Sequence, residues 1–137
     1  MFPASTAAAS PESSKQPPSD KFLNDILGVA IFDLNGLPRE YFVTAENKST
    51  QWVQIVFQAL GLKSLLMSSL KLDSFQQILI TLGQQTAVVV RTKNAYVALL
   101  LRGQRHFPTQ EIAERFSQWV RHFEQQTLRQ NLRFIAA

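Results

Sequence analysis

Few side chains in this sequence have types and spacing suited to chemistry. Asp33 and Glu40 flank an Asn35-Gly36 pair, and a tight turn there would bring the two carboxylates near one another. Such a pair can divide acid and base roles, because each charge raises the other's pKa. Carboxylates beside a turn more often bond the turn's own amides or face water, and no third group completes a site here. His106 and His122 are the two histidines, and there is no cysteine. Thiolate ligands, cysteine nucleophiles and disulfides are therefore excluded together. Each histidine reads as a surface or partly packed side chain: His106 lies in a loop stretch, and His122 beside the apolar stripe of the last helical segment. The five glycines form no phosphate-cradling pattern, and no Gly-x-Ser-x-Gly elbow occurs. The expectation is a protein that is not an enzyme, with no catalytic residues, no metal and no cofactor.

The net charge is +4, with 18 % charged and 45 % hydrophobic residues, an ordinary balance for a globular chain. Residues 1–20 hold Lys15 against Glu12 and Asp20, so the surplus lies in the remainder, mostly after Arg91. Arg91, Lys93, Arg102 and Arg105 mark a basic surface that an acidic partner or anionic membrane would find. The basic residues stand singly, without an aromatic-flanked run, so nucleic acid is not expected as a partner. No apolar run approaches the roughly 18–20 residues of a membrane span. The start of the chain lacks the basic and apolar regions of a secretory signal, which makes the cytoplasm the expected location.

These residues need elements to position them. Residues 1–19 carry Pro3, Pro11, Pro17 and Pro18 among Ser and Ala, and read as a disordered tail before a domain at 20–137. Ser19 or Asp20 can cap a short helix over 21–27, with Gly28 just past its end. Residues 29–34 read as a strand, Asn35-Gly36 as a hairpin turn, and 39–43 as the returning strand, which Pro38 confines to its start or to an edge. From about Asn47 the period becomes helical: Trp52, Val53, Val56, Phe57 and Leu60, then Leu65, Leu66, Met67 and Leu70, predict one long and very apolar helix to about Ser68. Three strands at 75–82, 86–92 and 95–102 follow, joined by connections short enough to force an antiparallel meander. Thr109 caps a final helix whose stripe is Ile112, Phe116, Trp119 and Phe123. Beyond it, Leu132, Phe134 and Ile135 could dock on the body or extend a strand.

The remaining signals concern association. A helix apolar on several sides next to an edge strand suits a two-fold dimer, in which strand pairing satisfies backbone groups and helix packing buries apolar area. The same residues also read as the core of a monomer.

Gly28 and Val29, the turn Asp33-x-Asn35-Gly36-x-Pro38-Arg39, the long helix, and the meander ILITLG…AVVVRTKNAYVALLLR together resemble the Roadblock/dynein light chain family of the longin/profilin-like group, in its bacterial branch. The resemblance covers about residues 20–128. It implies an α/β (α+β) sandwich with a five-stranded antiparallel sheet in the order 2-1-5-4-3 and helices on its faces. It further implies a homodimer formed through the third strand and long helix, with Trp52, Val56, Phe75, Gln77, Leu79 and Thr81 at the interface. Such dimers are scaffolds or regulators of Ras-like small GTPases, so a small GTPase is the implied partner. The alternative is a longin-like or sensory domain that binds a small ligand or anionic partner through its basic half. The first helix, two turns at most, is shorter than the family's usual one, so one sheet face is expected to need cover from the segment after residue 128 or from a partner.

Overall fold

The computed structural model describes residues 20–70 and 77–137 of the chain. The expected tail and Phe75 lie outside them. The elements are α1 (Asp20–Leu23), β1 (Ile26–Phe32), β2 (Pro38–Val43), α2 (Gln51–Leu70), β3 (Gln77–Leu82), β4 (Gln85–Arg91), β5 (Tyr96–Arg102), α3 (Gln110–Gln126) and β6 (Ile135–Ala136). The strands form one antiparallel sheet in the order β3-β4-β5-β1-β2-β6. The five expected strands stand in the expected order, and a sixth, from the segment expected to dock on the body or extend a strand, raises the count to six outside β2.

Both faces of the sheet are covered. One face holds Val29, Ile31, Val88, Val90, Val97 and Leu99 against Phe116, Val120 and Phe123 of α3. The other holds Ala30, Phe32, Ala87, Val89, Ala98 and Leu100 against Trp52, Val53, Val56 and Leu60 of α2. Residues alternate between faces along a strand, so a strand covered on both sides must be apolar at every position. That is why β1, β4 and β5 read as unbroken apolar runs and are buried almost throughout. Each fully buried Val or Leu contributes roughly 1.5–3 kcal/mol relative to an exposed one.

The largest correction concerns the beginning of the domain. The helix expected over 21–27 is only Asp20–Leu23, and Ile26, Leu27 and Gly28 belong to β1. Ile26 and Leu27 face opposite cores, which a strand permits and a helix would not. Gly28 is not a helix terminator. It lies under the Trp52 indole, and a Cβ there would meet the ring at 3.2 Å. The short α1 leans on α3, where Phe22 packs edge-on against Phe116 and Trp119 at 5.7 and 5.3 Å. The segment after α3 completes this face: Leu128 and Phe134 are buried in it, with Phe134 edge-on to Phe123 at 5.4 Å.

Turn chemistry follows the sequence closely. Gly36 adopts φ 85°, while Asp33 Oδ1 accepts from the N–H groups of Asn35 (2.9 Å) and Leu37 (3.0 Å). Gly83, at φ 63°, turns β3 into β4. Thr109 caps α3, its hydroxyl accepting from the Ile112 N–H at 3.1 Å. The long α2 passes Gly61 without interruption.

Candidate interaction surface

The two edges of the sheet are built differently. At one edge, β3 pairs with β4 in unbroken register through all six residues, Gln77 to Leu82. It holds no proline, no charged residue and no bulge, and no described strand lies outside it. An edge of this kind presents a row of backbone donors and acceptors able to template another strand. Its side chains divide by face. Ile78, Ile80 and Leu82 pack toward α2, whereas Gln77, Leu79 and Thr81 alternate to the α3 side. Gln77 Nε2 donates to Ser117 Oγ (3.0 Å) and to the Ala113 carbonyl (3.2 Å) of α3, and Leu79 and Thr81 are exposed.

The helix on the side of Ile78, Ile80 and Leu82 is α2. Trp52 and Val56, two of the residues expected at a dimer interface, are 7 % and 0 % exposed and serve the core of this chain. Among the described side chains of α2, the apolar residues left uncovered are others: Ile55, Leu62 and Leu65, at 43, 59 and 64 % exposure. Their spacing of seven and three places them along one stripe, the pattern of a seam between paired helices. The sequence held the signal, since a helix apolar on several sides must show one of them outward, but periodicity alone does not say which side faces its own sheet.

The four residues of the expected basic surface are not brought together. Arg91 and Lys93 lie at the β4–β5 turn, and Arg102 and Arg105 at the opposite end of that hairpin. At that opposite end both cations are paired with carboxylates. Arg105 pairs with Asp25 at 3.0 Å and lies over the Phe22 ring, and Arg102 pairs with Glu46 and, at 3.6 Å, with Asp25. Arg133 joins them with a 2.6 Å contact to Glu46. The side-chain hydrogen bonds from Arg133 and Arg102 hold the Glu46 carboxyl below the usual range, against a smaller opposing effect of desolvation.

The two carboxylates at the hairpin are each engaged with other groups. Asp33 bonds the turn amides and sits 3.6 Å from Arg39, while Glu40 takes Arg129 at 2.8 Å. His106 and His122 are exposed. Among the described residues no group of His, Asp or Glu is arranged to hold a metal, and no helix is long and apolar enough to cross a membrane.

No family model matches the sequence, and no curated protein matches it. Solved structures do. An MglB with a tetrameric arrangement superposes with a TM-score of 0.52 at 10 % identity, covering 89 % of this chain and 91 % of that one. MglB of Thermus thermophilus, described as a gliding protein, gives 0.48 at 11 % identity over 87 % and 95 % of the two chains. A Roadblock/LC7 domain from Streptomyces avermitilis gives 0.47 at 14 % identity over 74 % and 84 %. The likeness is one of fold: this chain has a Roadblock-like fold.

Proposed function

We propose that this protein is a non-catalytic interaction domain that works as a homodimer and serves as an adaptor or regulator of a Ras-like small GTPase. The observations that favour the dimer are the regular β3 edge, outside which no described strand lies, and the exposed apolar stripe on α2. Two-fold pairing of β3 with its copy would continue the sheet, and the Ile55, Leu62 and Leu65 stripes would supply the apolar area. The absence of catalysis is supported by the hairpin carboxylates being tied to Arg39, Arg129 and the turn amides. The GTPase is supported by the resemblance to the Roadblock family. The likeness to a tetrameric MglB favours self-association. The alternative, an anionic partner on the basic half, draws no support from four cations that sit at two ends of a hairpin, two of them paired with Asp25 and Glu46.

Sedimentation at micromolar concentration tests the dimer. The expected mass is twice the 15.5 kDa of the chain, and a monomer across that range would sink the reading. The GTPase is tested by immobilising the domain and offering the Ras-like GTPases of its own cell in GTP- and GDP-loaded forms. Selective retention of one form is expected. Indifference to the nucleotide, or no retention at all, would remove the partner and leave the dimer standing.

A further inference from the structure

The other edge of the sheet is guarded in three ways, none of which the described residues provide at β3. Pro38 begins β2 without an N–H to offer. Next comes a bulge: Pro38 faces Phe32 and Glu40 faces Ile31, leaving Arg39 without a counterpart on β1. The remaining length is covered by β6, with Phe42 opposite Ala136, Val43 opposite Ile135, and the Ala137 N–H given to the Tyr41 carbonyl at 2.9 Å. With two residues, β6 is too short to template a further strand.

The segment that carries β6 is anchored far more heavily than two rungs of sheet require. Phe134 is buried in the α3-side core. Arg133 reaches back across the fold, donating through Nε to the Leu23 carbonyl (3.0 Å) and through Nη2 to those of Asn24 (2.8 Å) and Ile26 (2.9 Å). Arg129 pairs with Glu40 of β2 and with Glu124 of α3, both at 2.8 Å, and lies over the Phe42 ring. Two of these anchors, Glu40 and Phe42, belong to the strand being covered.

We propose that residues 129–137 form an edge guard: they hold β6 on β2 to stop strand addition there, so that association is confined to β3. With one open edge, pairing through a two-fold axis closes at two copies. With two open edges, copies would add in series without limit.

The test is the chain ended after Phe134, which keeps the core aromatic and Arg133 but removes β6. Weight-average mass by sedimentation between about 10 and 200 µM should rise with concentration beyond that of the full chain, at least twofold at the upper end. Tyr41→Pro placed in the shortened chain should return the mass to the full-length value. The Tyr41 carbonyl faces β6, so its N–H does too, and the proline removes an outward donor without breaking a bond to β1. Far-UV circular dichroism and a cooperative melt establish folding. Should the shortened chain not fold, Ala137→Pro, which deletes only the N–H given to Tyr41, carries the same mass comparison. A shortened (or Ala137→Pro) chain of unchanged mass overturns the guard, as does growth that Tyr41→Pro leaves intact. A full-length monomer would overturn the dimer reading instead, because the guard is judged only by growth relative to the full chain.

Discussion

The two edges of this sheet offer a controlled comparison inside one molecule. Both β2 and β3 are six-residue antiparallel strands next to a well-buried neighbour. One has a proline, a bulge, charged side chains and a clamped covering strand; the other is regular and uncharged. An exposed regular edge is an aggregation hazard that soluble proteins suppress, so an edge that the described residues leave bare argues for an occupant. The exposed apolar stripe of α2 strengthens the argument, since contiguous apolar surface on a small domain marks a contact site. The guarded edge shows what the same fold does where contact is unwanted.

The largest effect available on this contrast is removal of the guard's buried anchor. Phe134→Ala should cost about 3–5 kcal/mol, the range for truncating a buried aromatic. It should also speed amide exchange at Tyr41 and Val43 more than at β4 and β5. Urea unfolding followed by tryptophan fluorescence measures the first, since Trp52 and Trp119 sit one in each core. A cost under about 1 kcal/mol would mean that the segment merely rests on the body.

Arg133→Met comes next. It keeps much of the apolar stem and deletes the donors to the Leu23, Asn24 and Ile26 carbonyls and the pairing with Glu46. Hydrogen bonds from a charged donor are worth about 1.5–3 kcal/mol, and a loss in that range is expected for a side chain only partly open to solvent. Arg133→Lys should recover little of it, because an ammonium cannot reproduce the planar fork. Full recovery by lysine would reduce the clamp to simple charge.

On the bare side, Leu62→Glu combined with Leu65→Glu should raise the dimer dissociation constant at least tenfold, or about 1.4 kcal/mol. Chain stability measured well below that constant should change by less than about 0.5 kcal/mol, because both residues are exposed within the chain. An unchanged dimer constant would move the contact off the helix and leave β3 alone to support it.

How much of this was legible beforehand follows the range of the interactions involved. The hairpin, the meander and the cap at Thr109 depend on neighbours in sequence, and the residues announced them. The long α2 was legible from its period, but the face it turns to the sheet was not. By period Trp52 and Val56 read as interface, whereas the structure buries them in the core and exposes Ile55 and Leu62. The start of β1 was misread because Phe22, Leu23, Ile26 and Leu27 fit a helical stripe as well as they fit a helix end followed by a two-faced strand. Only the second core, built by α2 from much further along the chain, decides between them. The guard was least legible of all. Arg133 reads as one more basic residue until Leu23, Asn24, Ile26 and Glu46 are brought around it from across the chain.

The smallest effect is also the one that separates the edges by chemistry. Glu46, whose pKa is lowered by its bonds to Arg133 and Arg102, ties the guard segment to the end of β5. A carboxyl depressed in the folded state contributes stability that is fully present above its unfolded value, about 4.5, and is lost as pH falls through the lower folded value. Glu46 is well exposed, so the contribution is modest and salt should diminish it. Acidification from pH 6 toward pH 3 should accordingly loosen β6 more than β3, since β3 has no charged side chain to lose. Amide exchange would show this as faster opening of Ala137 and Val43 relative to the amides that join β3 to β4. Glu46→Gln should already open β6 somewhat more readily at pH 6, and should flatten the acid response there while leaving β3 untouched. Equal acid sensitivity at both edges, or an unchanged response in Glu46→Gln, would place the acid-labile group elsewhere and leave the guard resting on Phe134, the Arg129 pairs and the carbonyl bonds of Arg133.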